Sequence, residues 1–405
     1  MTKLTTHNDY GLGSAALEPN DSRSYRRPSA VCLLGLVALL LASGAKADDI
    51  TISWQVTGKN IGTGYLPKLA SDGIQNVVTI DETSTGLSKL QSEIGTLLTA
   101  SVSWAGGSEY LYGPSLQIGY APSIALGFDA VDDYDTAIEV HQGAQDNDGS
   151  LWFQIGSNSS PSFSKIVWSA ANQYDTGYKP TVAADLNGPS KTTTTVVEVH
   201  QATASTSALW YHVGTLTLGA SPSMSWGPAL EINGGLNIGY APTVSVANNL
   251  AILVAQDYAG PLWYAIGVVD TATSTIDWTA PISYSTGYNP TVSVYGDGKQ
   301  DYIGSGRVVV EAHQDDNVTG PLSYSVGILK NGTGGSAPTS ITWSTDQGVI
   351  YVDNGCYPSV ALSFSGYTPS YLSLTETHDT ATVGLSDCGS ASTVKYSFGY
   401  LHSKK

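Results

Sequence analysis

The sequence predicts an all-β fold: a six-bladed β-propeller of four-stranded antiparallel blades, with an N-terminal strand completing the last blade. Three observations carry this expectation. A Gly-Tyr-x-Pro element recurs along the chain, β-branched runs of strand length separate its copies without helical periodicity, and one Trp-ending segment stands ahead of the first copy.

The repeated element reads GYLPKLA from Gly64, GYAPSIA from Gly119, GYKPTVA from Gly177, GYAPTVS from Gly239, GYNPTVS from Gly287 and GCYPSVA from Gly355. Each copy is followed by a β-branched run, namely VVTIDE, IEVHQ, VVEVHQ, ILVAQ, VVEAHQ and LTETHD. A polar loop then leads to LQSEIG, LWFQIG, LWYHVG, LWYAIG, LSYSVG or VKYSFG. The fourth element ends at Trp104, Trp168, Trp226, Trp278 or Trp343, which leaves the last repeat one short. Trp54 supplies the missing copy from the front of the chain. A ring must join its last sheet to its first, and a borrowed strand covers an edge that would otherwise stay open. Small Ser, Thr, Ala and Val side chains assign the Gly-Tyr-x-Pro strand to the crowded axis, and the tryptophans to the wider periphery.

Ahead of the repeats, the apolar run from Ala30 to Ala42 follows Arg23, Arg26 and Arg27 and precedes the small residues Ala45 and Ala47. This is the pattern of a secretory signal, too short to span a bilayer comfortably. Residues 1–47 are therefore expected to be removed, leaving residues 48–405 as one secreted or periplasmic domain. With the signal gone, Arg307 is the one arginine left in a chain whose formal charge is −17. An acidic surface repels phosphate backbones and anionic lipids, so nucleic acid and membrane partners are excluded in favour of a glycan or another neutral small molecule. In an oxidising compartment Cys356 and Cys388 are expected to form a disulfide, which would stabilise by roughly 3 to 4 kcal/mol.

In a four-stranded meander, the start of the first strand, the end of the second and the start of the third lie at one end of the sheet. That groups Tyr120, His141, Gln142 and Trp152 in the second blade, and Tyr178, His200, Gln201 and Trp210 in the third. The fourth keeps Tyr240, Gln256 and Trp263 but has Ala255 for histidine; the fifth keeps Tyr288, His313 and Gln314 but has Ser323 for tryptophan. Aromatic faces beside amides and imidazoles suit sugars, and several such sites on one face would add avidity. The same residues also suit a structural role, since repeat-wide positions serve the fold. Glu-x-His pairs put both side chains on one strand face, yet no third ligand is legible, so no metal site is assigned. Acidic segments around Asp129 to Asp135, Asp146 to Asp148 and Asp315 to Asn317 offer oxygen donors of the kind calcium takes, in an incomplete loop pattern.

The combination of VVEVHQ, LWYHVG, a Trp-ending strand and GYxP resembles repeats of secreted bacterial β-propeller proteins, some of them lectin-like. The resemblance implies a lectin-like, glycan-binding role. Sialidases also have six blades, but they hold their substrate carboxylate with three arginines, and their Ser-x-Asp-x-Gly-x-x-Trp box is missing here. No nucleophile elbow, phosphate-binding loop or zinc helix is present in the sequence either. A secreted glycan-binding protein with several sites on one face is the leading expectation. A carbohydrate-active hydrolase or lyase, with or without calcium, and a protein-interaction scaffold are the alternatives.

Overall fold

Each repeat folds as an antiparallel meander in which the second strand is buried on both faces. Those strands carry few exposed positions, apolar or polar, because each sheet is covered by a neighbour on either side. The computed structural model describes residues 50–403, apart from 84–88, 106–108, 111–118, 130–133, 144–148, 159–164, 186–191, 206–207, 220, 233–238, 258–259, 297–305, 317–319, 330, 332–335, 345–353, 365–371 and 381–391. The predicted signal segment, its cleavage point and Cys388, with the bridge expected of it, lie outside these residues.

The first sheet is formed by the second half of β1 (Ile50–Ser71), β2 (Asn76–Glu82), β3 (Leu90–Leu97) and β4 (Val102–Trp104), with β5 (Glu109–Tyr110) also on β3. The second comprises β6 (Tyr120–Asp129), β7 (Tyr134–Gln142) and β8 (Ser150–Asn158), with β9 (Ile166–Trp168) and β10 (Asn172–Thr176) both on β8. The third follows the same plan through β11 (Tyr178–Ala184), β12 (Thr193–Gln201), β13 (Leu209–Thr217), β14 (Ser223–Trp226) and β15 (Leu230–Glu231). So does the fourth, in β16 (Tyr240–Ala247), β17 (Leu250–Gln256), β18 (Pro261–Asp270), β19 (Thr275–Trp278) and β20 (Ile282–Thr286). The fifth has β21 (Tyr288–Tyr295), β22 (Arg307–Gln314), β23 (Gly320–Leu329) and β24 (Thr342–Trp343). The chain ends in β25 (Asn354–Phe364), β26 (Leu372–Thr380) and β27 (Ser392–Ser403).

The fourth strand of this last sheet is the first half of β1. It runs antiparallel to β27 from Ile50 opposite Ser403, past Trp54 opposite Gly399 and Lys59 opposite Tyr396, to Gly64 opposite Ser392. One strand thus belongs to two sheets. The inner strands touch in a cycle, β1 to β6, β11, β16, β21, β25 and back to β1, which gives a propeller-like arrangement. Among the described residues no ladder joins one inner strand to the next, although β23 of the fifth sheet pairs briefly with β25, so side chains satisfy the inner edges. Ser359 Oγ accepts from Leu69 N at 2.9 Å, Ser123 Oγ from Val182 N at 3.1 Å, Ser245 Oγ from Val294 N at 3.0 Å and Ser293 Oγ from Leu362 N at 3.0 Å.

Between adjacent sheets lie separate apolar clusters rather than one common core. An outer-strand tryptophan packs edge-on against the third-strand aromatic of the preceding sheet, as Trp226 does on Phe153, Trp278 on Tyr211 and Trp343 on Tyr264. The series continues across the chain ends, with Trp54 on Tyr324 at 5.2 Å and Trp104 on Tyr396 at 5.6 Å between ring centroids.

Ile50 is 1% exposed and packs with Leu322, Val326, Leu372 and Leu401. Ile50→Ala is expected to lower the unfolding free energy by about 2 to 5 kcal/mol, read from the denaturant midpoint. A change below about 0.5 kcal/mol, normal for a frayed terminus, would show that this strand adds nothing to the ring.

Candidate functional site

In every repeat the Gly-Tyr-x-Pro segment is a bulge. The pairing register jumps between Tyr65 and Lys68, Tyr120 and Ser123, Tyr178 and Thr181, Tyr240 and Thr243, Tyr288 and Thr291, and Cys356 and Ser359. The x residue has a left-handed backbone each time, with φ of 52° at Leu66, 49° at Ala121, 50° at Lys179, 47° at Ala241, 49° at Asn289 and 52° at Tyr357. None is glycine, so each carries strain of roughly 1 to 2 kcal/mol. The compensation comes from the sheet before. Gln142 Oε1 accepts from Lys179 N at 3.3 Å, Gln201 Oε1 from Ala241 N at 3.1 Å, Gln256 Oε1 from Asn289 N at 2.6 Å and Gln314 Oε1 from Tyr357 N at 3.0 Å. Glu82 Oε1 plays the same part for Ala121 N at 2.9 Å.

These bulges set all six x residues in the wall of one axial cavity of about 270 Å³. Tyr120, Tyr240, Tyr288 and Tyr357 supply its aromatic surface, and Lys68 and Lys179 are the charged residues among its described lining. Lys179 Nζ lies 3.4 Å from the centroid of the Tyr240 ring. Lys68 occupies the place that Ser123, Thr181, Thr243, Thr291 and Ser359 hold in the other repeats. Burial, and after it the charge of Lys179, lowers the Lys68 ammonium to about 8. An acidic chain has gathered two cations at one apolar-walled opening.

Among the residues expected from sequence to face a ligand, Tyr120, Tyr240, Tyr288 and Gln256 line this cavity. The register does bring the others together at the ends of the sheets, with Tyr120 opposite Gln142, His141 opposite Trp152 and His200 opposite Trp210. Their polar atoms are nonetheless engaged inside the protein. The His141, His200 and His313 imidazoles are buried and donate from Nδ1 to Glu139 at 2.9 Å, Glu198 at 3.1 Å and Glu311 at 2.9 Å. A Cβ at Gly177 would collide with the His200 ring, which accounts for glycine there. Gln142, Gln201 and Gln314 are the buried acceptors described above. Trp152 is half-buried and donates to Ser150 Oγ at 2.9 Å, Trp210 and Tyr178 are half-buried, and Trp263 belongs to the core.

The residue that sequence reasoning passed over is x itself. Gly, Tyr and Pro are nearly constant, whereas x reads Leu, Ala, Lys, Ala, Asn and Tyr. Variation inside an otherwise fixed motif was the available signal.

Behind the cavity, the seam between the first and last sheets holds buried carboxyls from Asp81, Glu82 and Asp379. Burial raises Asp379 to about 8 while neighbouring His378 lowers it, and neither carboxylate oxygen has a hydrogen-bond partner. Burial likewise raises Asp81 well above the carboxylate range, opposed by Gln91 Nε2, which donates to Oδ2 at 2.7 Å. Tyr65 and Tyr357 meet through their hydroxyls at 3.2 Å, and burial pushes the Tyr65 phenol up, so it stays protonated. Most of the acidic loops considered for calcium lie outside the described residues. Asp315, which is described, accepts a hydrogen bond from Ser323 Oγ.

No protein-family model matches the sequence, and no curated protein matches it. Among solved structures, the chain is similar to the intramolecular trans-sialidase from Ruminococcus gnavus, with a TM-score of 0.51 and 9% identity over 88% of this chain and 98% of that one. It is also similar to the neuraminidase-like protein of a flat-faced bat isolate from Peru, with a TM-score of 0.50 and 10% identity over 87% of this chain and 94% of that one. Similarity at this level of identity is a likeness of fold.

Proposed function

We propose that the protein is an exported six-bladed β-propeller whose axial cavity binds an anionic saccharide, a sugar carrying a carboxylate. The cyclic contacts of the inner strands and the likeness to sialidase and neuraminidase-like folds support the blade count. The observation that carries the ligand class is the pairing of Lys68 and Lys179 within a ring of tyrosines. Tyrosine faces take the C–H surface of a sugar ring, and two ammonium groups in a partly desolvated site select a negative charge over a neutral hydroxyl. The glycan expected from sequence is kept, but a single axial site replaces several sites along one face, because the repeated His and Gln side chains are committed to the fold.

A second reading rests on Asp379 and Asp81. Carboxyls raised by burial serve as the general acids of glycoside hydrolysis; burial raises both of these, and at the seam Asp379 stands beside Tyr357 and Asp81 near Asp379. Neither lines the cavity, so binding is the better supported function.

An array of acidic and neutral glycans should show binding confined to the acidic members, and Lys68→Met should weaken it by roughly tenfold to a hundredfold at neutral pH. Equal binding of neutral sugars would contradict the assignment. Affinity should hold steady below about pH 8 and fall as pH rises beyond it, by up to about tenfold per unit, because a lowered lysine loses its charge there. A flat profile to pH 10 would exclude Lys68. Release of free sugar from an acidic oligosaccharide, lost in Asp379→Asn, would favour the hydrolase reading; binding without turnover would favour the lectin-like one.

A further inference from the structure

Two departures from the repeat meet between the second and third sheets. On the third strands, the place of His212 is taken by Glu93, Gln154, Ala265, Ser325 and Ser397 in the other copies. Two residues ahead of Gly-Tyr-x-Pro, Asp175 in NQYDTGY stands where ISYSTGY has Ser285. His212 lies opposite Glu198 on β13, and His200 lies two residues along β12 from Glu198, so all three share one face. Asp175 reaches that face from β10 of the neighbouring sheet.

His212 Nε2 is 2.8 Å from Asp175 Oδ2, and His200 Nε2 is 3.7 Å from the same oxygen. Both Nδ1 atoms face acceptors: the Glu198 carboxylate at 3.1 Å for His200, and the Gly227 carbonyl at 3.0 Å for His212. Each Nδ1 therefore carries the proton in the neutral ring, which turns both Nε2 lone pairs toward a carboxylate oxygen. With both rings neutral, three acceptor atoms converge; without an ion, a proton on His212 Nε2 bridges the 2.8 Å contact. Imidazoles held from behind by a carboxylate and a backbone carbonyl, facing a further carboxylate, are how proteins orient metal ligands.

We propose that Asp175, His200 and His212 bind one divalent transition-metal ion, zinc in the first instance, across the seam between the two sheets. Two imidazole nitrogens and one carboxylate oxygen are a zinc-type ligand set with an open fourth position. The three ligand atoms lie within 4.8 Å of one another. Ligand atoms of a tetrahedral zinc are about 3.3 Å apart, so a bound ion draws the group together. Both histidines are buried while the Asp175 side chain is 25% exposed, which gives an ion and a water ligand a way in. The Tyr174 ring, edge-on to His212 at 5.6 Å and stacked on Trp226 at 5.1 Å, walls the other side. The fifth sheet shows what the repeat looks like without the site: His313 keeps its Glu311 partner, but Ser285 and Ser325 stand in place of the other two ligands.

The test uses the full mature chain, stripped with chelator and titrated with Zn(II), with Co(II) as an absorbing probe of coordination. One equivalent of zinc per chain is expected, with a rise in unfolding temperature that chelator reverses. Asp175→Ser and His212→Gln, residues that other repeats carry at these places, should each weaken zinc binding by at least about tenfold. His313→Gln should leave it unchanged. Because Asp175 is partly exposed, its variant keeps the fold, checked by circular dichroism, even where His212→Gln does not. Absence of stoichiometric uptake would overturn the site, leaving an imidazolium–carboxylate pair in its place. So would uptake that Asp175→Ser leaves intact.

Discussion

The structure depends on how one sheet is tied to the next at the axis, where no β-ladder is available. An inner strand has a free edge whose N–H groups are buried by its neighbour, and an orphaned buried donor costs about 1 to 3 kcal/mol. Short hydroxyls such as Ser123, Ser245, Ser293 and Ser359 answer along the middle of the strands. At the mouth the gap is wider, and the amides at the ends of the second strands reach across it. They meet the N–H of a residue that has been turned into the left-handed region to receive them. The same bulge that satisfies the inner edges turns the x side chain toward the axis, so the axial cavity follows from the way the sheets are joined.

The chain ends are the exception that shows the rule. In the seam between the last and first sheets, Asp379 stands where the other repeats have Gln or Glu, too short to make the usual bond, and its carboxylate atoms are without hydrogen-bond partners. This seam also holds the buried acids Asp81 and Glu82, and β1 of the first sheet carries Lys68. It is held as well by a long shared strand, by the apolar cluster of Leu69, Val77, Ala361, Tyr396 and Phe398, and by Trp104 continuing the aromatic series.

The strands, their order and the borrowed N-terminal strand were legible because a period of two and a six-fold repeated motif are local signals. So was the grouping of Tyr120 with Gln142 and of His141 with Trp152, which follows from hairpin register. The direction of those side chains was not legible. One extra residue between Tyr and the next paired position resets which face the strand presents, and nothing about Leu66, Ala121 or Lys179 announces a left-handed backbone. The meeting of Asp175 with His212 was also hidden, since it joins strands of two different sheets and depends on how far apart those sheets sit. What the sequence did contain was deviation from its own pattern, at x, at Lys68 and at His212. In a repeat protein the constant positions build the scaffold and the odd ones mark the sites.

Closure of the ring by β1 governs the cavity, the seam and the spacing between sheets alike. Amide hydrogen exchange in β27 of the full chain tests it most directly. If β1 covers this strand, the amides from Tyr396 to Leu401 exchange as slowly as those of the interior strand β22, near the limit set by global unfolding. Exchange in β27 as fast as at an open sheet edge would contradict closure, and with it the axial site.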